Sequence, residues 1–110
     1  MTSPSWGLLL AELNRVLSVA FDMEEAEPQL ARGYDLRRQT LGEQNGLTWY
    51  AASEWGRALT ELGRTHEAEA LQRKALANVE RIMGPEAYQV SLILDALADT
   101  LAREATPDTA

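Results

Sequence analysis

The sequence of 110 residues predicts an all-α fold of about five helices, arranged as antiparallel helix-turn-helix repeats stacked on one another. Three observations predict it. Apolar residues recur at helical spacing and never alternate as a strand requires. The strongest turn signals, Gly42-Glu43-Gln44-Asn45-Gly46 and Gly84-Pro85-Glu86, place their leading glycines 42 residues apart. Sliding the chain along itself by that distance sets Glu12 on Glu54, Arg15 on Arg57, Leu17 on Leu59 and Leu59 on Leu101. The same shift sets Ala26-Glu27 on Ala68-Glu69, Leu41 on Met83 and Gly42 on Gly84.

The first helix is expected over Ser5–Phe21, up to a weak break near Asp22. The second, Glu24–Leu41, opens with Glu24, Glu25 and Glu27, where negative charge complements the helix dipole, and Pro28 lies within its first turn or so. Arg37 and Arg38 close it, and Gly42 stands where a left-handed cap wants glycine. The third, Leu47–Leu62, runs between that turn and Gly63-Arg64-Thr65. The fourth, His66–Met83, has Thr65 as its expected N-cap, Glu67 and Glu69 at its start, Arg81 near its end and Gly84 beyond. The fifth, Tyr88–Arg103, has no hairpin partner. Residues 1–103 therefore read as one domain of two and a half repeats, about 5–41, 47–83 and 88–103, with 104–110 a frayed tail. Leu13, Trp55 and Leu97 share one apolar column.

Composition removes several functions. Cysteine is absent, so thiolate nucleophiles and cysteine-ligated zinc are excluded. One histidine, His66, leaves no histidine-rich metal centre and argues against a Ser-His-Asp arrangement. Seventeen acidic against ten basic residues give a net charge of −7, which disfavours nucleic acid and anionic lipid. The longest N-terminal apolar run, Leu8-Leu9-Leu10-Ala11, stops at Glu12 with no basic residue before it, so it does not read as a signal peptide. No stretch approaches the roughly 20 apolar residues that span a bilayer. The expectation is a cytoplasmic protein, not an enzyme, with no cofactor and no metal.

The second unit reads Ala52-x-x-Trp55-Gly56-x-x-Leu59, with Ala68 and Ala75 in the next helix. It resembles the tetratricopeptide repeat, in which small residues let paired helices approach. Unit one matches at Leu13, Leu17, Ala26 and Gly33, with Asn14 in place of the small residue; unit three matches at Leu97-Ala98 and Leu101. The usual period of that repeat is about 34 residues. The longer period here, with Leu62-Gly63-Arg64, His66-Glu67-Ala68-Glu69-Ala70-Leu71 and Met83-Gly84-Pro85-Glu86, is similar to the kinesin-light-chain-type variant. Paired asparagines frequent in that family are replaced by Ala11-Glu12, Ser53-Glu54 and Asp95-Ala96, so a clamp on a ligand backbone does not carry over. The resemblance implies a right-handed solenoid; a HEAT-like array or a plain bundle is the structural alternative.

It also implies that first helices line a concave groove. Carried over by position, that groove takes Leu8, Ala11, Arg15, Ser18, Tyr50, Ser53, Arg57, Thr60, Glu61, Leu92, Asp95, Asp99 and Arg103. The partner-binding candidates among them are Arg15, Tyr50, Ser53, Arg57, Glu61, Asp95 and Asp99. Tyr50, Ser53, Arg57, Thr60 and Glu61 independently form one helical stripe. Arg15 and Arg57 suit a ligand carboxylate, and Asp95 and Asp99 a basic side chain. The competing reading of Arg57 is an ordinary ion pair with Glu61, Asp95 or Asp99. Trp55 is expected in the core, whereas Trp6 and Trp49, at first-helix starts, either pack on a neighbouring helix or stay exposed as contact anchors.

Two functions from different classes follow. One is a protein or peptide adaptor that uses the groove. The other is a self-assembling module, a homodimer or end-to-end array, contacting through Trp6, Leu8, Leu9, Trp49 and Leu92. A regulatory segment of a larger multidomain protein fits either.

Overall fold

The computed structural model describes residues 5–106, and the side chains of these except Ser5, Val16 and residues 18–21. The described residues form four helices: α1 (Ser5–Leu41), α2 (Gly46–Glu61), α3 (Thr65–Met83) and α4 (Tyr88–Ala105). The all-α class is as expected. The break near Asp22 is not: the helices expected over Ser5–Phe21 and Glu24–Leu41 are one continuous helix of 37 residues. Leu8 to Glu27 contains no glycine or proline, and the stretch is rich in Leu, Ala, Glu and Met, which favour helix. Asp22 alone does not stop it. Pro28 correspondingly lies well inside α1, where it removes one backbone donor without ending the helix.

The other ends have identifiable causes. Asn45 caps α2, its side-chain oxygen accepting the Leu47 N–H at 2.9 Å. Gly63 adopts φ 83°, which lets Arg64 N–H reach Leu59 O at 2.9 Å and Gly63 N–H reach Thr60 O at 3.0 Å, the paired bonds of a Schellman ending. Gly42 and Gly84 are also left-handed, as their places in the sequence predict. Thr65 is the first residue of α3 rather than its cap. Arg64 occupies the cap position without a side-chain bond to the backbone, and its guanidinium instead binds Glu67 at 2.8 and 3.0 Å. α4 continues to Ala105; residues 107–110 of the expected frayed tail lie outside the described residues.

Contacts fix the packing order. Gly56 of α2 meets Gln72 of α3 and Gly46 meets Met83, so α2 and α3 are an antiparallel hairpin. His66 at the start of α3 meets Glu104 at the end of α4. α4 therefore returns antiparallel to α3 and lies parallel to α2, with Thr60 against Thr100. The C-terminal half of α1 packs antiparallel on the other side of α2, through Tyr34 with Trp49 and Glu27 with Trp55. A buried cluster of Trp49, Ala52, Ala75, Val79, Val90 and Ile93 joins α2, α3 and α4. The N-terminal half of α1 projects beyond this body. A helix of this length spans about 55 Å, and the molecule is 63 Å long against 27 and 23 Å across.

That projection overturns one expectation. Leu13 and Leu17, placed by sequence in the core column with Trp55 and Leu59, are 53% and 46% exposed. Trp49 departs in the other direction. It is 1% exposed, its indole N–H donates to Glu43 O at 2.8 Å, and Lys74 lies over its ring at 5.6 Å. It is a core residue and offers no contact surface. Trp55 is only half-buried, its Nε1 donating to Glu27 Oε2 at 2.7 Å.

Candidate functional site

α2 and α4 lie side by side, and the furrow between them holds a cavity of about 280 Å³ lined by Arg57, Thr60, Glu61, Leu92, Asp95, Ala96 and Asp99. Helical periodicity explains the lining. Arg57, Thr60 and Glu61 are spaced i, i+3, i+4 on α2; Leu92, Asp95, Ala96 and Asp99 repeat that spacing on α4. Four of the seven expected partner-binding residues, Arg57, Glu61, Asp95 and Asp99, are thus brought together. Leu92 lines the same cavity and is half-buried.

The cavity has one basic and three acidic side chains on its walls, and Arg103 spans one end. Its Nη2 donates to Glu61 Oε1 at 3.0 Å and its Nε lies 3.3 Å from Asp99 Oδ2. Partial desolvation works against the Arg103 charge, but the bond from Glu61 and the field of both carboxylates outweigh it and raise its pKa. Arg57 is exposed and enters no ion pair among the described residues; Arg103 engages Glu61 and Asp99, two of the three carboxylates expected to pair with Arg57. Asp95 is likewise exposed and unpaired among the described residues.

The other three expected residues fall elsewhere. Ser53 is 3% exposed and cannot meet a ligand: on α2 it turns inward beside Ala52, where the stripe drawn from sequence was one position too wide. Tyr50 is half-buried and lines a second cavity of about 310 Å³ between α1 and α2, with Leu30, Gly33, Tyr34, Arg37 and Glu54 among its neighbours. Its hydroxyl is held by the Glu54 carboxylate, which together with burial raises its pKa. Arg15 lies on the projecting half of α1, paired with Glu12 of the same helix and far from the furrow. The Ser18 side chain lies outside those described. Trp6, Leu8 and Leu9 are 62%, 71% and 57% exposed on that half.

Sequence reading missed a second polar cluster. His66 Nδ1 lies 3.0 Å from Glu104 Oε1, and the ligand atoms of His66, Glu69 and Glu104 all fall within 4.8 Å of one another. Glu69 is already engaged by Arg73 Nε at 2.7 Å, and His66 is 95% exposed. The arrangement is one exposed imidazole over a carboxylate pair, without the buried, converging donors of a structural metal site. His66 and Glu69 were legible as one turn of helix; Glu104 joins them only through the fold.

Residues 51–86 match the family model of the tetratricopeptide repeat, a span covering most of α2, all of α3 and the turn that follows. No curated protein and no solved structure matches the chain. Among the described residues no helix is long and apolar enough to cross a membrane.

Proposed function

We propose that this chain is a non-catalytic protein-interaction module that binds an extended segment of a protein partner in the furrow between α2 and α4. The observation that carries the reading is the convergence of Arg57 with Glu61, Asp95 and Asp99 on one cavity, with Arg57 and Asp95 unengaged among the described residues. Arg57 suits a carboxylate of the partner, held by two parallel N–H donors. Asp95 suits a basic side chain a few residues along the same segment. Leu92 supplies an apolar wall of the same cavity. Arg103, tied to Glu61 and Asp99, holds the two helices at the spacing that keeps the furrow open.

The match to the tetratricopeptide repeat supports a protein partner in general terms. The 42-residue spacing of Gly42 and Gly84 favours the kinesin-light-chain-type variant and its right-handed stacking. An acidic furrow on a chain of net charge −7 speaks against nucleic acid, and the cytoplasm is the compartment we assign.

The test is selection of peptides from a random display library on the wild-type protein, followed by titration against Arg57→Glu. Selected sequences should carry an acidic and a basic residue, and Arg57→Glu should weaken them about tenfold or more, equivalent to about 1.4 kcal/mol. The exposed position of Arg57 means that helicity and Tm should not move. Equal binding by the variant would refute the furrow as the site.

A further inference from the structure

The projecting half of α1 and the body of the molecule carry complementary halves of an interface. In the second repeat, Ala52 and Leu59 of α2 are 0% and 2% exposed. The residues 42 positions earlier, Leu10 and Leu17, are 57% and 46% exposed. Their sequence register is that of a packed first helix, yet nothing among the described residues covers them.

The place where they would fit is present and open. Ala52 packs against Ala75, Val79 and Ile93, with Leu76 alongside. Moving these by 42 positions gives Gly33, Arg37, Ala51 and Tyr34, and all four line the cavity of about 310 Å³ between α1 and α2. The outer side of the hairpin repeats the pattern. Trp55 and Leu59 share a cavity with Glu67, Ala70, Leu71 and Lys74. The same shift turns the last four into Glu25, Pro28, Gln29 and Arg32, which line a cavity of about 530 Å³. It turns Trp55 and Leu59 into Leu13 and Leu17, both on the projecting arm. A Cβ built on Gly33 would meet nothing within 4 Å, whereas its counterpart Ala75 is wholly buried.

The arm and its seat belong to one unbroken helix. Leu10 and Gly33 are separated by about 35 Å along its axis, so a chain with this α1 cannot fill its own seat. We infer that two copies of the chain exchange their N-terminal arms, each arm packing as the missing first helix into the partner's seat beside Gly33 and Tyr34. The exchange is reciprocal and closed, giving a twofold dimer and leaving no arm free to propagate an array. It leaves the furrow between α2 and α4 untouched, so it stands or falls separately from peptide binding.

The register supplies a decisive cross-link. Gly56 faces Gln72 in the α2–α3 hairpin, with a built Cβ 2.8 Å from Gln72 Cγ. Their counterparts are Asn14 and Leu30, and the native chain has no cysteine. Cysteines paired as closely as this hairpin contact can be joined by a disulfide. The double variant Asn14→Cys with Leu30→Cys should oxidise to a covalent dimer that reduction returns to monomer. A disulfide closed within one chain, or none at all, would overturn the exchange. In parallel, light scattering of the wild type should give twice the chain mass, and Leu10→Glu with Leu17→Glu should give the monomer mass. Those leucines are solvent-exposed in the single chain, so the variant's helical body should be retained. A wild type that is monomeric across a wide dilution range would equally refute the proposal.

Discussion

The hydroxyls of Thr60 and Thr100 lie 2.7 Å apart in the interior, joining two parallel helices across 40 residues of sequence. Thr100 Oγ1 also lies 2.7 Å from Gln72 Oε1, so a single buried hydroxyl ties α4 to both α2 and α3. Each of these three side chains is 3% exposed or less. The clasp lies directly beneath the furrow, since Thr60 is one of the furrow's lining residues. The polar bond that positions α4 against α2 thus also sets the distance between Arg57 and Asp95.

Thr100→Val keeps the side-chain volume and removes the hydroxyl. It leaves Gln72 Oε1 without its donor in a buried site, for an expected cost of about 1–3 kcal/mol in urea unfolding at unchanged m-value. Adding Gln72→Leu should return much of that loss, because it removes the stranded amide; Leu30 occupies the equivalent place one repeat earlier. Additive losses in the double variant would show that the bond contributes nothing beyond packing.

Gly56→Ala tests the approach of α2 to α3. A Cβ there would lie 2.8 Å from Gln72 Cγ and 3.2 Å from Nε2. Alanine gains about 1 kcal/mol of helix propensity over glycine. Forced overlap in a packed interior costs about 1–3 kcal/mol. The clash with Cγ, in the middle of an immobilised side chain, should win, lowering Tm. In a Gln72→Ala background the same substitution should become stabilising, and an unchanged sign there would exclude this contact as the cause.

Trp55→Phe removes the N–H that reaches Glu27 at 2.7 Å while leaving an aromatic ring beside Tyr34 at the α1–α2 contact. A bond to a charged acceptor contributes about 1.5–3 kcal/mol when buried. Here the indole is only half-buried, so about 1 kcal/mol is expected, read as earlier melting. Glu27→Gln retains an acceptor and should lose less than Trp55→Phe.

Much of this architecture was readable from residue pattern. Gly42, Gly63 and Gly84 mark the three helix ends because left-handed backbone singles out glycine, and the spacing of Arg57 with Glu61 and of Asp95 with Asp99 put four groove residues on matching helix faces. What failed has specific causes. Repeat symmetry implied a turn near Asp22, but Phe21-Asp22-Met23-Glu24 contains no residue that breaks a helix, and local propensity prevailed. Gln72 and Thr100 gave no signal in sequence, because hydroxyls and amides usually face water; only the meeting of three helices pairs Thr100 Oγ1 with Gln72 Oε1 inside, and Gln72 Nε2 is left without a partner among the described residues. Trp49 was ambiguous at a helix start, and its burial depends on Lys74 and Glu43, brought to it by the turns on either side.

Glu69 and Glu104 give the molecule a predictable pH response. The Glu104 carboxyl is held above its ordinary range, first by its hydrogen bond with Glu69, then by desolvation and the Glu69 charge. Glu69 is held below its own range by Arg73. Together these shifts favour the proton on Glu104 over Glu69. A carboxyl whose folded pKa exceeds its unfolded value contributes stability below the unfolded pKa, and that contribution is lost as pH rises through the folded value. Glutamine at position 104 would keep a neutral N–H donor toward Glu69 at every pH. Glu104→Gln should accordingly gain stability relative to the wild type as pH rises across the carboxylate range, from about pH 3 to about pH 7. Glu69→Gln keeps an acceptor oxygen but removes the charge that pairs with Arg73, so it should lose stability at neutral pH, where Glu104→Gln gains it. Parallel pH profiles for wild type and Glu104→Gln would mean that the two carboxyls titrate independently.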